Sequence, residues 1–337
     1  MRLSVAMCTY NGARYVGEQL ASMAAQTRTP DELVVCDDRS TDETARIVQD
    51  FAASASFPVR LHVNEENLGS TKNFERAVTL CEGDLIALSD QDDVWVEGKL
   101  ERMEAEFARS PRVGLVFTDA EVVDESLRPL GYTIWQSLGF DARKREAFGE
   151  GAAFESLLTQ NVVTGAAMAF RSSFLGLVLP LHETIVRRYG MPEWNLIHDG
   201  WIALLIAAAA DVVPVAEPLL KYRQHPRQQL GISAPRLRAE MPVAGWRARA
   251  DAQYKEYFAN ELELLGTVRE RLAERCGEFD CAATLTELEA RMNHLHARAS
   301  LPANRLRRAP LVFREFLTMR YYRYSNGDSS AAKDILH

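Results

Sequence analysis

Three carboxylates follow one apolar run of the sequence, within Ser89-Asp90-Gln91-Asp92-Asp93-Val94-Trp95. The run, residues 84–88, predicts a strand buried on both faces of a sheet. If the strand geometry continues, Asp90 and Asp92 point to the same side, where their negative charges repel each other. A divalent cation relieves such repulsion, and ligands that are all oxygen favour Mg²⁺ or Mn²⁺ over Zn²⁺. A solvated acidic turn that caps the following helix accounts for the same spacing.

A further carboxylate, Asp199, stands just before an apolar helical run, in Asn195-Leu196-Ile197-His198-Asp199-Gly200-Trp201. Its simplest role is that of an N-cap, which accepts backbone N–H groups and complements the helix dipole. A capping position also holds a carboxylate rigidly at a pocket edge, as a general base requires. The two interpretations are compatible.

Other polar groups follow other predicted strands. Thr9-Tyr10-Asn11-Gly12 follows the first, and its Asn-Gly pair is typical of a turn. Asp37-Asp38 closes the second, before a helix N-cap at residues 40–42. Two adjacent carboxylates at the end of a buried strand need a donor or a cation, which a ribose or a base edge can supply. Lys221-Tyr222-Arg223-Gln224-His225 follows the last strand and gathers cations beside a candidate metal ligand, although a lone histidine is usually an ordinary residue.

The elements that would position these residues alternate between strands and helices. Short apolar runs predict strands over residues 3–8, 32–36, 59–63, 84–88 and 113–117. Helical periodicity separates them over residues 13–25, 41–53, 71–81 and 96–108. This order predicts an α/β sheet with right-handed crossovers, whose ligands bind beyond the carboxyl ends of the strands.

The remainder of the chain is less regular. Residues 119–160 are interpreted as a loop region over the site, followed by a strand at 165–170, a short helix at 171–177, a helix at 199–210 and a strand at 218–223. Beyond Gly231 the composition changes, and residues 247–299 have long helical periodicity. We therefore expect a catalytic domain over residues 1–230 and a helical C-terminal region over residues 231–337.

Composition restricts the class of protein. The chain has 337 residues, of which 47% are hydrophobic, and this is enough for about two globular domains. Its net charge of −8 argues against a nucleic-acid binder. The N-terminus lacks the pattern of a secretory signal, and the longest apolar run, residues 201–210, is too short to span a membrane. Five cysteines without a CxxC pair indicate reduced thiols, so we expect a cytoplasmic protein.

Taken in order, the motifs resemble those of the inverting family 2 glycosyltransferases, which have the GT-A fold. The resemblance covers about residues 2–230. The matching stretches are VAMCTYNGARYVGEQLASMAAQT, ELVVCDDRSTDET, ENLG, GDLIALSDQDDVW, the Gly165 segment, HDGWIALLIAA and KYRQH. SDQDDVW, HDGW and YRQH together look most like the rhamnosyltransferase branch, whose members build bacterial surface polysaccharides such as O-antigen.

The resemblance implies a role for each matching residue. Asp199 corresponds to the catalytic base of the family, and Asp92 to the chief ligand of Mg²⁺ or Mn²⁺. Arg223 and His225 match a region that commonly closes over the diphosphate, and from its residue type we expect His225 to be a second metal ligand. Asp38 corresponds to the contact with the edge of the base, with Asp37 as the alternative. The other residues that the resemblance places along the nucleotide or the sugar are Thr9, Tyr10, Asn11, Asn67, Lys72, Asp90, Asp93 and Arg223.

The implied activity is the metal-dependent transfer of a sugar, with dTDP-rhamnose as the first candidate donor, to a glycan or a polyprenyl-diphosphate-linked acceptor. A nucleotidyltransferase also uses paired carboxylates and a metal, but we expect it to carry a Gly-rich basic loop after the first strand, which residues 8–12 lack. A receiver-like signalling module needs its acidic pair after the first strand, whereas this chain has Asp37-Asp38 after the second.

The C-terminal stretch 305–324, RLRRAPLVFREFLTMRYYRY, interleaves arginines with apolar and aromatic residues. Such a segment can lie on an anionic membrane surface, and we expect peripheral contact through residues 301–324. A helix that packs its apolar face on the catalytic domain fits the same pattern, and Pro310 is a candidate break. Residues 1–230 hold 22 Lys and Arg against 33 Asp and Glu, whereas residues 231–337 hold 17 against 14, so the basic surplus belongs to this region.

Overall fold

The computed structural model describes residues 1–158, 160–182, 184–186, 194–228, 250–275, 277–302, 304–325 and 327–336. The contacts divide the chain into two compact units. One unit comprises Met1–Glu183 and Leu196–Ala239, and the other comprises Thr184–Asn195 and Glu240–His337. The boundary that the sequence predicts near residue 230 lies outside the described residues.

A mixed sheet forms the centre of the first unit. The strands, in chain order, are β1 Leu3–Thr9, β2 Glu32–Asp37, β3 Val59–Val63, β4 Leu85–Ser89, β5 Val94–Trp95, β6 Val113–Val123, β7 Pro129–Thr133, β8 Met168–Arg171, β9 Thr184–Val186, β10 Trp194–Leu196 and β11 Asp211–Arg223. The nine-stranded sheet has the order β3-β2-β1-β4-β8-β6-β11-β5, with β7 beside β6, while β9 and β10 pair with each other. The first four strands of this order are parallel, and β8 runs antiparallel to β4 and β6.

The helices, in chain order, are α1 Val16–Ala24, α2 Thr44–Ala52, α3 Ser70–Leu80, α4 Lys99–Arg109, α5 Ile134–Leu138, α6 Ala142–Gly149, α7 Ala153–Leu157, α8 Leu175–Val178, α9 His198–Ala207, α10 Ala250–Arg275, α11 Ala282–Ala299, α12 Arg305–Leu317, α13 Arg320–Tyr324 and α14 Asp328–Leu336. Short 3₁₀ turns cover Gly165–Ala167 and Ser172–Phe174. The predicted α/β class, a mixed sheet followed by a helical C-terminal extension, is confirmed. Within the described part of the chain, no helix is both long and apolar enough to cross a bilayer.

The interpretation of residues 119–160 as a loop region was wrong. This segment contains the end of β6, the strand β7 and the helices α5 to α7. Thr133 and Gln136 form a reciprocal capping box at the start of α5, and the Asp141 side chain caps α6. The segment stays ordered because Phe140 and Phe148 pack on Phe117 of β6, with ring centroids 5.8 and 5.9 Å away.

Other predicted elements needed smaller corrections. The strand predicted at 165–170 begins as a 3₁₀ turn and becomes extended only at Met168. β3 was predicted to be buried on both faces, but it lies at the sheet edge and is half-buried. β11 begins at Asp211 rather than at residue 218, because its pairing with β6 continues through register shifts on both sides of Pro218.

Buried ion pairs connect the helices of the second unit. Arg291 of α11 donates to Glu261 of α10 at 2.8 Å. Arg298 donates to Asp334 of α14 at 2.7 Å, and Tyr321 donates to the same carboxylate at 2.6 Å. Because a charge that loses its partner in such an interior is costly, these pairs fix how the helices pack.

Candidate active site

A cavity of about 420 Å³ opens beyond the carboxyl ends of β1, β2 and β4. Its lining, as far as the structure describes it, includes eight of the residues that the sequence predicts for the site: Thr9, Tyr10, Asp38, Asn67, Asp90, Asp92, Asp199 and Arg223. Four other predicted residues lie outside this lining: Asn11, Lys72, Asp93 and His225. Parallel strands bring their carboxyl ends to one sheet edge, so residues far apart in the sequence meet here.

The two adjacent carboxylates after β2 have different surroundings. Asp37 is fully buried and accepts hydrogen bonds from Thr9 Oγ1 at 2.7 Å and from the backbone and hydroxyl of Ser40 at 2.8 and 2.6 Å. Asp38 lines the cavity. Its Oδ1 accepts from Asn64 Nδ2 and Leu68 N at 2.8 and 2.7 Å, and its Oδ2 accepts from Gly69 N at 2.9 Å. A carboxylate offers about four acceptor positions, so Asp38 Oδ2 keeps one lone pair for a ligand.

The turn after β1 is held from two sides. Asn11 adopts a left-handed conformation with φ of 48°, and its side chain accepts from Thr41 N at 2.9 Å, so it anchors the loop before α2. Gln91 forms two hydrogen bonds with the Tyr10 backbone, at 2.9 and 3.0 Å. A Cβ at Gly12 would lie 2.0 Å from Gln91 Oε1, so only glycine leaves Gln91 this position. The turn therefore exposes Tyr10, which is 50% accessible, at the cavity.

Asn67 lies in the connection between β3 and α3, and Lys72 lies in the first turn of α3. Asn67 lines the cavity, and its Nδ2 donates to the Asp38 carbonyl at 3.2 Å. Lys72 is half exposed, and its amine pairs with Glu75 at 2.9 Å. The predicted contact of Lys72 with the substrate stays a prediction that its position does not support.

The acidic loop, residues 90–93, connects β4 to β5, and the pairing of β5 with β11 brings the end of β11 beside it. Arg223 N donates to Asp93 Oδ1 at 3.0 Å, and its Nε donates to the Asp92 carbonyl at 2.7 Å. The other guanidinium nitrogens of this 2% exposed side chain bind the Glu125 carbonyl and the Glu18 carboxylate. Arg223 therefore holds the loop in place through protein contacts.

His225 also contacts this loop, since its Nε2 lies 2.8 Å from Asp92 Oδ2. The imidazole packs against the Tyr15 ring, with centroids 4.7 Å apart. Asp92 therefore lines the cavity and also has one carboxylate oxygen beside His225. The predicted pairing of Asp92 and His225 in one site is compatible with this distance.

The carboxylates of the loop carry an unfavourable concentration of charge. Burial, followed by the nearby Asp92 and Asp199, raises the pKa of Asp90 to about 7. Burial, followed by Asp92 and Asp90, also raises the pKa of Asp93 well above its ordinary value. Asp93 Oδ2 is buried and accepts no hydrogen bond within the described residues. Buried oxygens that repel one another and lack donors are a favourable environment for a cation.

This donor set fits Mg²⁺ or Mn²⁺, which prefer carboxylate oxygens. Within the described part of the chain, no three His, Cys, Asp or Glu side chains come together as a complete ligand cluster. Such ions are usually bound by one or two carboxylates together with substrate phosphates and water. Asp92 and Asp90 line the cavity and are the residues that would hold the ion.

Asp199 lines the same cavity as Asp38 and Asp92. The interpretation of Asp199 as a helix cap was wrong, because α9 begins at His198 with Ile197 as its N-cap. Its Oδ1 accepts from Gly200 N at 2.5 Å and from Asn161 Nδ2 at 3.3 Å, and its Oδ2 accepts from Gly165 N at 3.0 Å. A lone pair on Oδ2 therefore remains for a proton.

Glycine at 165 makes this arrangement possible. A Cβ there would lie 2.9 Å from His198 Nε2 and 3.4 Å from Asp199 Cβ. The His198 ring is itself fixed by stacking on Phe74, with centroids 4.1 Å apart. The Gly165 backbone can therefore approach Asp199 only without a side chain.

Sequence reasoning missed Lys99 and Arg227. Lys99 is fully buried, donates to the Ala166 carbonyl and lies 3.9 Å from the centroid of the Trp95 ring. Burial lowers its pKa to about 7, against the opposing effect of Asp93 and Asp90. Arg227 is exposed and lines the cavity. Arg227 stands two residues after the KYRQH motif, which was a usable signal, whereas Lys99 looks like any first-turn lysine of an amphipathic helix.

Comparison with known proteins identifies relatives of this chain. The glycosyl transferase family 2 profile matches residues 4–175. An uncharacterized glycosyltransferase of Nostoc is 27% identical over 234 residues, 67% of this chain and 65% of the relative. The Escherichia coli UDP-Glc:alpha-D-GlcNAc-diphosphoundecaprenol beta-1,3-glucosyltransferase WfgD is 29% identical over 124 residues, 37% of this chain and 47% of that protein. The matched regions thus span less than two thirds of these relatives.

Solved structures share the fold. Staphylococcus aureus TarS 1–349 in complex with UDP-GlcNAc superposes with a TM-score of 0.52 at 17% identity, over 99% of this chain and 91% of TarS. The Pyrobaculum calidifontis mannosyltransferase PcManGT in complex with GDP-Man and Mn²⁺ gives 0.50 at 18% identity, over 99% and 85%. These likenesses confirm the predicted GT-A fold. Since the family profile covers half of the sequence, including β1, β4 and the acidic loop, the chain belongs to glycosyl transferase family 2.

Proposed function

We propose that the protein transfers a sugar from a nucleoside diphosphate to an acceptor hydroxyl in one displacement, with inversion at the anomeric carbon. The observation that carries this proposal is that Asp90, Asp92 and Asp199 line one cavity together with Asp38. A metal-binding acidic pair, an unfilled acceptor position near β2 and a separately held carboxylate are the groups that such a reaction needs.

The nucleotide binds at the ends of β1 and β2. Asp38 Oδ2 accepts the N–H of the base through its remaining lone pair, and Tyr10, half exposed, covers the base or ribose. Asn67 lines the cavity from the loop after β3, and Thr9 supports the site through its hydrogen bond to Asp37. Asn11 acts indirectly, because its hydrogen bonds orient the loop that carries Ser40 and Thr41.

The diphosphate binds beside the acidic loop. Asp92 and Asp90 would hold Mg²⁺ or Mn²⁺, with His225 next to Asp92. When bound, the ion would supply Lewis-acid stabilisation for the negative charge of the departing diphosphate. Arg227 supplies a further positive charge from the cavity wall. Arg223 and Asp93 keep the loop in position through their mutual hydrogen bond. The contacts of Asp92 and Asp93 and the position of Asp90 and Arg227 in the cavity lining support these roles.

Asp199 acts as the general base. Its Oδ2 takes the proton of the acceptor hydroxyl as the oxygen attacks the anomeric carbon from the face opposite the nucleotide. The Gly165 and Gly200 amides orient the carboxylate throughout. Because the amides hold Asp199 in the described structure, little reorganisation is needed when the acceptor binds.

The substrates are the finer part of the proposal. From the resemblance of SDQDDVW, HDGW and YRQH, dTDP-rhamnose is the first donor to test, and a polyprenyl-diphosphate-linked glycan of surface polysaccharide synthesis is the proposed acceptor. WfgD, a relative that glucosylates alpha-D-GlcNAc-diphosphoundecaprenol, supports this acceptor class. UDP-GlcNAc and GDP-Man, which are bound in the two similar structures, are the alternative donors to test.

A donor screen tests this proposal. Each nucleotide sugar is added with Mn²⁺, and both thermal stabilisation and slow hydrolysis of the donor are measured, with excess chelator as the reference. We expect one class of donor to raise the melting temperature of the protein and to be hydrolysed, and we expect both effects only when the ion is present. Asp92→Ala should lose both responses, whereas Asp211→Ala, an exposed carboxylate outside the cavity lining, should keep them. Full hydrolysis in chelator would contradict the metal role.

A further inference from the structure

The exposed face of α12 is apolar. Leu306, Phe313 and Leu317 are 87%, 60% and 66% exposed. Pro310, also exposed, lies within the helix without ending it, contrary to the break considered from the sequence. Positions 306, 310, 313 and 317 follow the i, i+4, i+7, i+11 spacing of one helical stripe. We refer to these four residues as the α12 stripe.

The opposite face of the same helix is buried and largely polar. Arg308 and Glu315 are 8% and 5% exposed, with Val312 between them at 1%. Arg308 donates to the Pro302 carbonyl at 2.8 Å, and Glu315 lies 3.0 Å from His294 Nδ1. A surface helix normally packs its apolar stripe inward. Here Val312 and Phe316 pack inward in an apolar cluster, beside the buried Arg308 and Glu315, while the α12 stripe stays outward.

Cationic side chains flank the α12 stripe. Residues 304–324 contain six arginines and one acidic residue, the buried Glu315. Arg308 is buried, and Arg320 and Arg323 pair with Glu315 and Glu287, so the exposed charge comes from Arg305, Arg307 and Arg314. Arg307 and Arg314 are exposed beside the stripe. Met319 and Tyr322, 58% and 47% exposed, extend the apolar surface beyond the helix. The patch is therefore apolar with a basic border, in a chain whose net charge is −8.

We propose that the α12 stripe docks on an anionic lipid bilayer, with its apolar side chains between the headgroups and its arginines on the phosphates. A helix with an apolar face and a basic border matches the charge and depth profile of such an interface. A second copy of the chain fits less well. A symmetric contact through this patch would bring the basic borders of the two copies together.

Vesicle sedimentation tests the proposal with the full chain. Vesicles of phosphatidylcholine alone are compared with vesicles that also contain phosphatidylglycerol, and we expect binding only to the second kind. Phe313→Ser with Leu317→Ser should weaken that binding roughly tenfold to 100-fold, because two largely exposed apolar side chains no longer enter the bilayer. Leu130→Ser, at a 45% exposed leucine of β7, is the matched control and should bind like the wild type.

A second pair of variants tests the electrostatic part. Arg307→Glu should weaken binding about 25-fold, since it removes one positive charge and adds a negative one at about fivefold each. Arg143→Glu makes the same change at an exposed position of α6 and should have little effect. Added salt should weaken wild-type binding in the same direction.

Three results would overturn the proposal. The first is that the wild type does not sediment with anionic vesicles at low salt. The second is that the stripe variants sediment as much as the wild type. The third is that the wild type binds no vesicles but is an oligomer by light scattering, whereas the stripe variants are monomers. The last result would assign the stripe to a second copy. Circular dichroism of each variant shows whether the helices remain folded. None of these readouts depends on glycosyl transfer.

Discussion

Gly165→Ala should separate catalysis from donor binding. The added Cβ would lie 2.9 Å from His198 Nε2, about 0.5 Å inside an ordinary contact. His198 is 4% exposed and stacks on Phe74, so the Gly165 backbone has to give way. Because Gly165 N donates to Asp199 Oδ2 at 3.0 Å, a shift of that size lengthens this bond to about 3.5 Å, beyond useful hydrogen-bond length.

The magnitude follows from the lost bond and the crowding. A hydrogen bond to a charged group contributes about 1.5–3 kcal/mol, so kcat should fall roughly tenfold to 100-fold. Overpacking should lower the free energy of unfolding by about 1–3 kcal/mol. The donor KM should stay within about twofold, because the atoms nearest to the new methyl group belong to His198 and Asp199 rather than to Asp38 or the acidic loop.

The assay measures donor hydrolysis under steady-state conditions and urea unfolding of the same samples. Gly149→Ala is the control, because its Cβ would meet no atom within 4 Å, and both its kcat and its stability should match the wild type. Refutation would take either of two forms. The variant could retain kcat within about twofold, or it could lose donor affinity as strongly as turnover.

Three further predictions concern other parts of the chain. Arg223→Met should lower the free energy of unfolding by about 3 kcal/mol, because the buried acceptors of its guanidinium lose their donor. Arg227→Met, at an exposed position, should raise the donor KM about tenfold with little change in urea unfolding. If Arg223→Met raised the KM and Arg227→Met lowered the stability, the two roles would be exchanged. Lys72→Met should leave the donor KM within about twofold, since its amine pairs with Glu75 on the surface, and a larger increase would return Lys72 to the site. Burial lowers the pKa of His294 in the folded chain. As the pH falls, the unfolded chain therefore binds a proton at this histidine before the folded chain does, which destabilises the fold. The wild type should therefore lose more stability than His294→Gln between about pH 7.5 and about pH 5.5, and equal losses would contradict this cause.

The central strands could be predicted because each is a short apolar run with no competing helical period. β1, β2 and β4 lie within about a residue of their predicted bounds, and the carboxylates that follow β2 and β4 reach the cavity as expected. The GT-A resemblance then placed Asp199 on the same cavity from far along the sequence. Order along the chain was enough for these residues.

What the sequence left out depends on three-dimensional packing. The fixed positions of Arg223 and Lys99 follow from the antiparallel pairing of β5 with β11 and from the turn at Ala166, and neither contact is encoded by local spacing. The stripe of α12 was readable as amphipathic, but only the fold shows that the apolar side faces outward. The segment 119–160 did carry a readable signal, the Thr133 capping box.

The role of Asp199 is the central claim, and one comparison tests it most directly. Nucleotide-sugar binding with Mn²⁺ is measured by calorimetry for the wild type and Asp199→Asn, and donor turnover is measured in parallel. Asparagine preserves the shape of the side chain but cannot take the acceptor proton, so we expect unchanged donor affinity and a loss of turnover of at least about 1,000-fold. Turnover close to that of the wild type, with donor binding intact, would remove Asp199 as the base.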